Sequence, residues 1–175
     1  MQFSSNELYI LLNTHPADRR LWLNGADLSD ANLSGADLRA ANLARANLDR
    51  ANLSGADLSE ALLNGASMRG ADLRGADLTR AQMRGADLTG ARMREAILVG
   101  AELREANLTD GDLFGANLGG ANLSGTILRH VTLSNAILSG TNFEEAVLSE
   151  TSLQGIDLSL AGLDDTATHA HGEPG

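Results

Sequence analysis

The chain has no cysteine and no lysine, only two prolines, and aromatic residues at just 3% of its 175 positions. Without cysteine there is no disulfide framework and no thiol chemistry, and the compartment is left open. Without lysine every strong base is an arginine, and 13 of them stand against 23 acidic residues for a net charge of −10. So acidic a chain lacks the basic footprint that grips phosphate backbones, so direct nucleic-acid binding is not expected. Few aromatics mean that any core must be built from small and aliphatic side chains. No apolar run approaches a membrane span. Residues 1–20 lack the basic start of a signal peptide, which makes a cytoplasmic location the default.

What is present is a repeat. Leu, or a near-equivalent, stands at every fifth residue from Leu23 to Leu163, 29 times without a skip; the exceptions are Met68, Met83, Met93 and Phe143. Two positions earlier comes a small residue, Ala without exception from Ala26 to Ala106. The position before Leu is Asn or Asp in 16 of the 29 repeats, and the second position after it is often Gly, as at Gly25, Gly35 and Gly55. The length predicts one domain.

A period of five fits neither regular element. On an α-helix five residues advance about 500°, so the leucines would spiral over every face. On a continuous strand the odd spacing would send them to alternate faces. The pattern closes only if the chain turns one corner per repeat. Every Leu and every Ala can then point to a common axis, in a solenoid whose coils stack by parallel β-type hydrogen bonds. Pro16 and Pro174 lie outside the repeat, where no ladder needs their N–H.

The A-[D/N]-L-x-x motif, as in Ala26-Asp27-Leu28-Ser29-Asp30 and Ala121-Asn122-Leu123-Ser124-Gly125, resembles that of the pentapeptide-repeat proteins over residues 21–165. The resemblance implies an all-β solenoid: a right-handed quadrilateral parallel β-helix with four repeats per coil and about seven coils. Leu would be the central inward residue and Ala the second. Such a core is filled by its own side chains and leaves little room for a ligand pocket. From Thr126 onward the Ala positions also take Val131, Thr141, Thr151 and Ile156, so the last coils are expected to be bulkier inside.

The ends differ from the repeat. Ser4 and Glu7 have the spacing of a capping box, and Phe3 and Leu8 that of a hydrophobic staple, so a short helix over 4–13 is expected to cap the first coil. The other reading is a disordered leader, against which the clustered apolar residues argue. Three segments follow: a helical cap over 1–20, a β-helix over 21–165 and a disordered tail over 166–175. Leu158, Leu160 and Leu163 would form an end without a cap, one that a second copy could cover. The resemblance permits a homodimer through the C-terminal coils.

Four repeats per coil would stack Asp37, Asp57 and Asp77 about 5 Å apart. That column reads as a weak cation site or an acidic stripe that mimics a nucleic-acid backbone, or as the ordinary Asx preference with Arg39 nearby. Arginines gather between Arg69 and Arg104, with Arg74, Arg92 and Arg94 among them, as an anion-binding belt or as charge-neutralising ladders. The same stacking sets Arg92 between Asp72 and Asp112, Arg50 against Asp30 and Arg69 against Asp49. His169 and His171 are too few for a metal site, while His15 and His130 stand alone in the sequence. No catalytic constellation or cofactor motif rises above the repeat. The expected function is therefore non-enzymatic: a rigid rod read by an unidentified protein partner. The resemblance adds an alternative, a DNA mimic that modulates DNA gyrase. However, the fluoroquinolone-resistance members favour Phe at the central position, where this chain has one.

Overall fold

The structure, a computed structural model, describes residues 20–156. Parallel bridges join each residue before the inward Leu to the residue twenty positions later, from Trp22–Asn42 to Thr132–Ser152. A coil is therefore twenty residues, four repeats, with a corner in each. We number the coils from coil 1 (21–40) to coil 6 (121–140), followed by the partial coil 7 (141–156). At about 4.8 Å per coil the described part is a rod roughly 30 Å long. The helix expected over 4–13 lies outside the described residues.

One repeat shows why five residues suffice. Ala51 N–H donates to the Leu48 carbonyl (3.0 Å) and closes the corner, while Asn52 N–H reaches down one coil to Ala31 (2.9 Å). Leu53 and Gly55 donate up one coil, to the carbonyls of Asp72 (2.7 Å) and Arg74 (2.9 Å). The fifth donor, Ser54 N–H, has no backbone partner and goes to Oδ1 of Asn52 (3.1 Å). All five N–H groups are satisfied, as a buried or half-buried backbone requires. This explains the Asx preference: an Asp or Asn before the Leu accepts the one donor that the coil leaves over. The arrangement recurs from Asp27–Ser29 to Asn142–Glu144.

The corners are uniform. At every fifth position from Gly25 to Gly155 φ lies between 53° and 77°, whether or not the residue is glycine. A single left-handed residue before the residue that donates back across the turn is the signature of a type II turn. Gly fits this position without strain, which accounts for its frequency there.

Inside, Leu and Ala alternate around the axis, and nearly every one from Ala41 to Leu133 is sealed from solvent. The bulkier late positions do not break the register. Thr126, Thr141 and Thr151 are buried, and their hydroxyls donate to the carbonyls of Leu103 (3.1 Å), Leu118 (2.8 Å) and Leu128 (2.5 Å). Among the described residues no buried polar side-chain atom lacks a hydrogen-bond partner.

Candidate functional site

Because the inward positions only fill the core, chemistry is confined to columns of outward side chains spaced one coil apart. Asp37, Asp57 and Asp77 do stack in register through successive bridges. Arg39 grips Asp37 with two parallel bonds, Nε–Oδ1 at 2.9 Å and Nη2–Oδ2 at 2.7 Å, and its Nε lies 3.6 Å from Asp57. Asp77 Oδ1 accepts the Thr79 N–H (2.8 Å), and the column then passes to Ile97, Asn117 and Ile137. The acidic stripe is thus three residues long and partly neutralised.

The arginine belt is interleaved with acid. Asp72, the one buried carboxylate of the described residues, takes Arg74 bidentately at 2.7 and 2.6 Å and Arg92 Nη2 at 3.3 Å. The Arg74 bonds hold the Asp72 carboxyl below the ordinary carboxylate range against the opposing cost of burial, with the Arg74 N–H and the Arg92 charge adding to them. Arg94 lies 3.6 Å from Asp112 and sits over the Phe114 ring, 4.6 Å from its centroid, a cation–π contact. Arg69 pairs with Asp87 (3.3 Å) and Arg84 with Glu105 (3.0 Å). Arg50 and Asp30 pair at 2.6 Å, and Arg50 holds the Asp30 carboxyl below its usual range. Asp49, expected opposite Arg69, accepts that residue's backbone N–H (3.0 Å) instead of its guanidinium.

Two groupings escaped the sequence reading although they carry the same twenty-residue spacing. One is Arg94 over Phe114. The other corrects the isolation assigned to His130: its Nδ1 lies 3.5 Å from Asp110 and its Nε2 3.8 Å from Glu150, one coil to either side. Apolar side chains also surface late, Ile97, Val99 and Ile137 on one side, Ile127 and Val147 on another. A shallow cleft of about 240 Å³ is lined by Arg104, Glu105, Ser124, Gly125, Glu144 and Glu145. Among the described residues no group of three His, Cys, Asp or Glu could hold a metal ion, and no helix is long and apolar enough to cross a membrane. Leu158, Leu160 and Leu163 lie outside the described residues, as do His15, His169 and His171.

A five-residue inward period, a twenty-residue coil and an axis filled mainly by Leu and Ala define a four-sided repeat solenoid. The chain matches the pentapeptide repeats family in eight copies, over residues 23–59, 51–90, 86–125 and 126–163. It belongs to that family. Among solved structures it is similar to Rfr23, a pentapeptide repeat protein from the cyanobacterium Cyanothece 51142, at 28% identity and a TM-score of 0.51 over 85% of this chain and 98% of that one. HetL, a pentapeptide repeat protein involved in heterocyst differentiation regulation in the cyanobacterium Nostoc sp. strain PCC 7120, is 26% identical (TM-score 0.47; 87% and 94% covered). QnrB1, a plasmid-mediated fluoroquinolone resistance protein, is 23% identical (TM-score 0.46; 81% and 76% covered). No curated protein matches significantly.

Proposed function

We propose that this protein is a non-catalytic interaction module, a rigid rod whose outward columns are read by a protein partner. The observation that carries the reading is the division of labour in each repeat. The inward Leu and Ala are sealed in the core, while the residues between them vary and their backbone is fixed by ladder and Asx bonds. A backbone held this way has little conformational entropy left to lose on binding, which favours recognition by a matching surface. Solenoids present long regular faces of this kind.

A photo-crosslinking residue placed in turn at Asn52, Arg94 and Ile137 in the native host tests this. One protein captured from one side of the rod, and lost when the flanking charges are reversed, supports the reading. Equal, non-specific capture from all three positions contradicts it. In the same reading two copies meet through the C-terminal coils, so light scattering that returns a monomer mass at high concentration removes that part.

The gyrase-directed DNA-mimic alternative needs a continuous negative stripe. The Asp37–Asp57–Asp77 column gives way to Ile97, and Arg92 stands between Asp72 and Asp112, which weighs against it. A supercoiling assay is expected to show no effect at tens of micromolar protein; inhibition there would revive the alternative.

A further inference from the structure

We propose that His130 is a pH-operated clamp that ties coils 5, 6 and 7 together along one corner of the rod. The corner carries Asp30, Arg50, Gly70, Gly90, Asp110, His130 and Glu150 in successive coils. At its lower end Asp30 and Arg50 form a pair at 2.6 Å whose cation is permanent. At its upper end the cation's place is taken by an imidazole with a carboxylate facing each ring nitrogen, Asp110 at 3.5 Å and Glu150 at 3.8 Å.

A neutral imidazole has one N–H, so it can serve only one of these carboxylates and turns a lone pair toward the other. The imidazolium has two N–H groups and a charge that both carboxylates attract. The three-coil contact is therefore complete only when His130 is protonated. The backbone supports this placement, because His130 N–H donates to the Ser149 carbonyl (2.8 Å) and Asp110 N–H to that of Arg129 (2.9 Å). Within coils 5 to 7 the other ionisable groups on the adjoining columns are Arg129, the preceding residue, and Asp112 in the coil below. They are of opposite sign, and Asp112 is already paired with Arg94 at 3.6 Å. Histidine in an unstructured chain titrates at about pH 6.5. The contact is therefore expected to be closed at about pH 5.5 and open at about pH 8, on either side of the ordinary imidazole range. It governs cohesion at the end of the rod where the coils carry Thr in place of inward Ala.

The test is amide hydrogen exchange on the full chain at about pH 5.5 and pH 8, expressed as protection factors so that intrinsic exchange rates cancel. The reporting amides are Val147 and Ser152, which donate from coil 7 to Thr126 and Val131 in coil 6 (2.9 Å each). Asp77, which donates to Ala56 (2.9 Å), is the internal reference far from the clamp. Relative to Asp77, protection at Val147 and Ser152 is expected to be about two- to fivefold higher at the lower pH, the range for exposed ion pairs. His130→Asn, which tolerates the left-handed backbone, should abolish that ratio, and His130→Arg should hold the protection at both pH values. The double variant Asp110→Asn with Glu150→Gln should also abolish it, which keeps the test valid if a change at His130 itself disturbs folding. A wild-type ratio of one, or a ratio that survives in these neutral variants, overturns the proposal.

Discussion

Arg74 holds Asp72 in a fork, Nε to Oδ1 at 2.7 Å and Nη2 to Oδ2 at 2.6 Å, two residues apart on the same turn. The same carboxylate meets Arg92 from the next coil at 3.3 Å. One buried acid thus joins coil 3 to coil 4 through two cations, so the central arginines serve cohesion before any partner arrives.

This network has a pH signature. The folded Asp72 carboxyl titrates below its ordinary range, mainly through the Arg74 side-chain bonds, so between the two values the unfolded chain binds more protons. The stabilisation is complete above the ordinary value of about 3.9 and is lost as pH falls through the folded value. Asp72→Asn keeps an oxygen for the Arg74 N–H but loses the charge. It should cost about 1 kcal/mol at neutral pH, and the difference from wild type should shrink below about pH 4. Urea unfolding from pH 7 to pH 3 measures both limbs.

The corner residue predicts a backbone effect separable from packing. Gly75 has φ of 63°, and a Cβ added there would meet nothing within 4 Å. Gly75→Ala should therefore destabilise through conformation alone, by about 1 kcal/mol. Gly75→Asn should cost less, since Asn adopts this region more readily. Equal stability of all three chains by denaturant unfolding would show that the corner imposes no such demand.

The Asx position predicts a second separation. Asn117 Oδ1 accepts the Gly119 N–H at 3.0 Å. Asn117→Asp keeps the acceptor and should be nearly neutral, whereas Asn117→Leu removes it and should cost about 0.5–1.5 kcal/mol. The Gly119 amide should also exchange faster in the Leu variant alone.

How much of this could be read in advance depends on which period a residue obeys. The inward pattern is legible from Leu23 onward because burial acts on every fifth residue as far as Leu148. The number of repeats per coil is not, since one corner per repeat closes equally well on paper for other polygons; it came from the family resemblance, and the Trp22–Asn42 bridge now supports it. With the twenty-residue spacing in hand, the Asp30–Arg50 and Asp72–Arg92 contacts follow. His130 is unremarkable at short range and acquires partners only at Asp110 and Glu150, twenty residues to either side. The Asx preference was visible as a frequency, but its cause, one leftover N–H per repeat, required the hydrogen bonds of the coil. Which column a partner reads depends on surface complementarity, which the repeat constrains least.

The surface columns described above follow the twenty-residue spacing, and the absence of cysteine makes that spacing directly measurable. Asp57 and Asp77 are bridged partners, whereas Asp72, one repeat earlier, belongs to the neighbouring column. Neighbouring parallel positions at about 4.8 Å suit a disulfide. The double variant Asp57→Cys with Asp77→Cys should oxidise within one chain, while Asp57→Cys with Asp72→Cys should stay reduced under the same conditions. Rapid bridging of the second pair and none of the first would contradict a coil of four repeats, and with it every surface column described above.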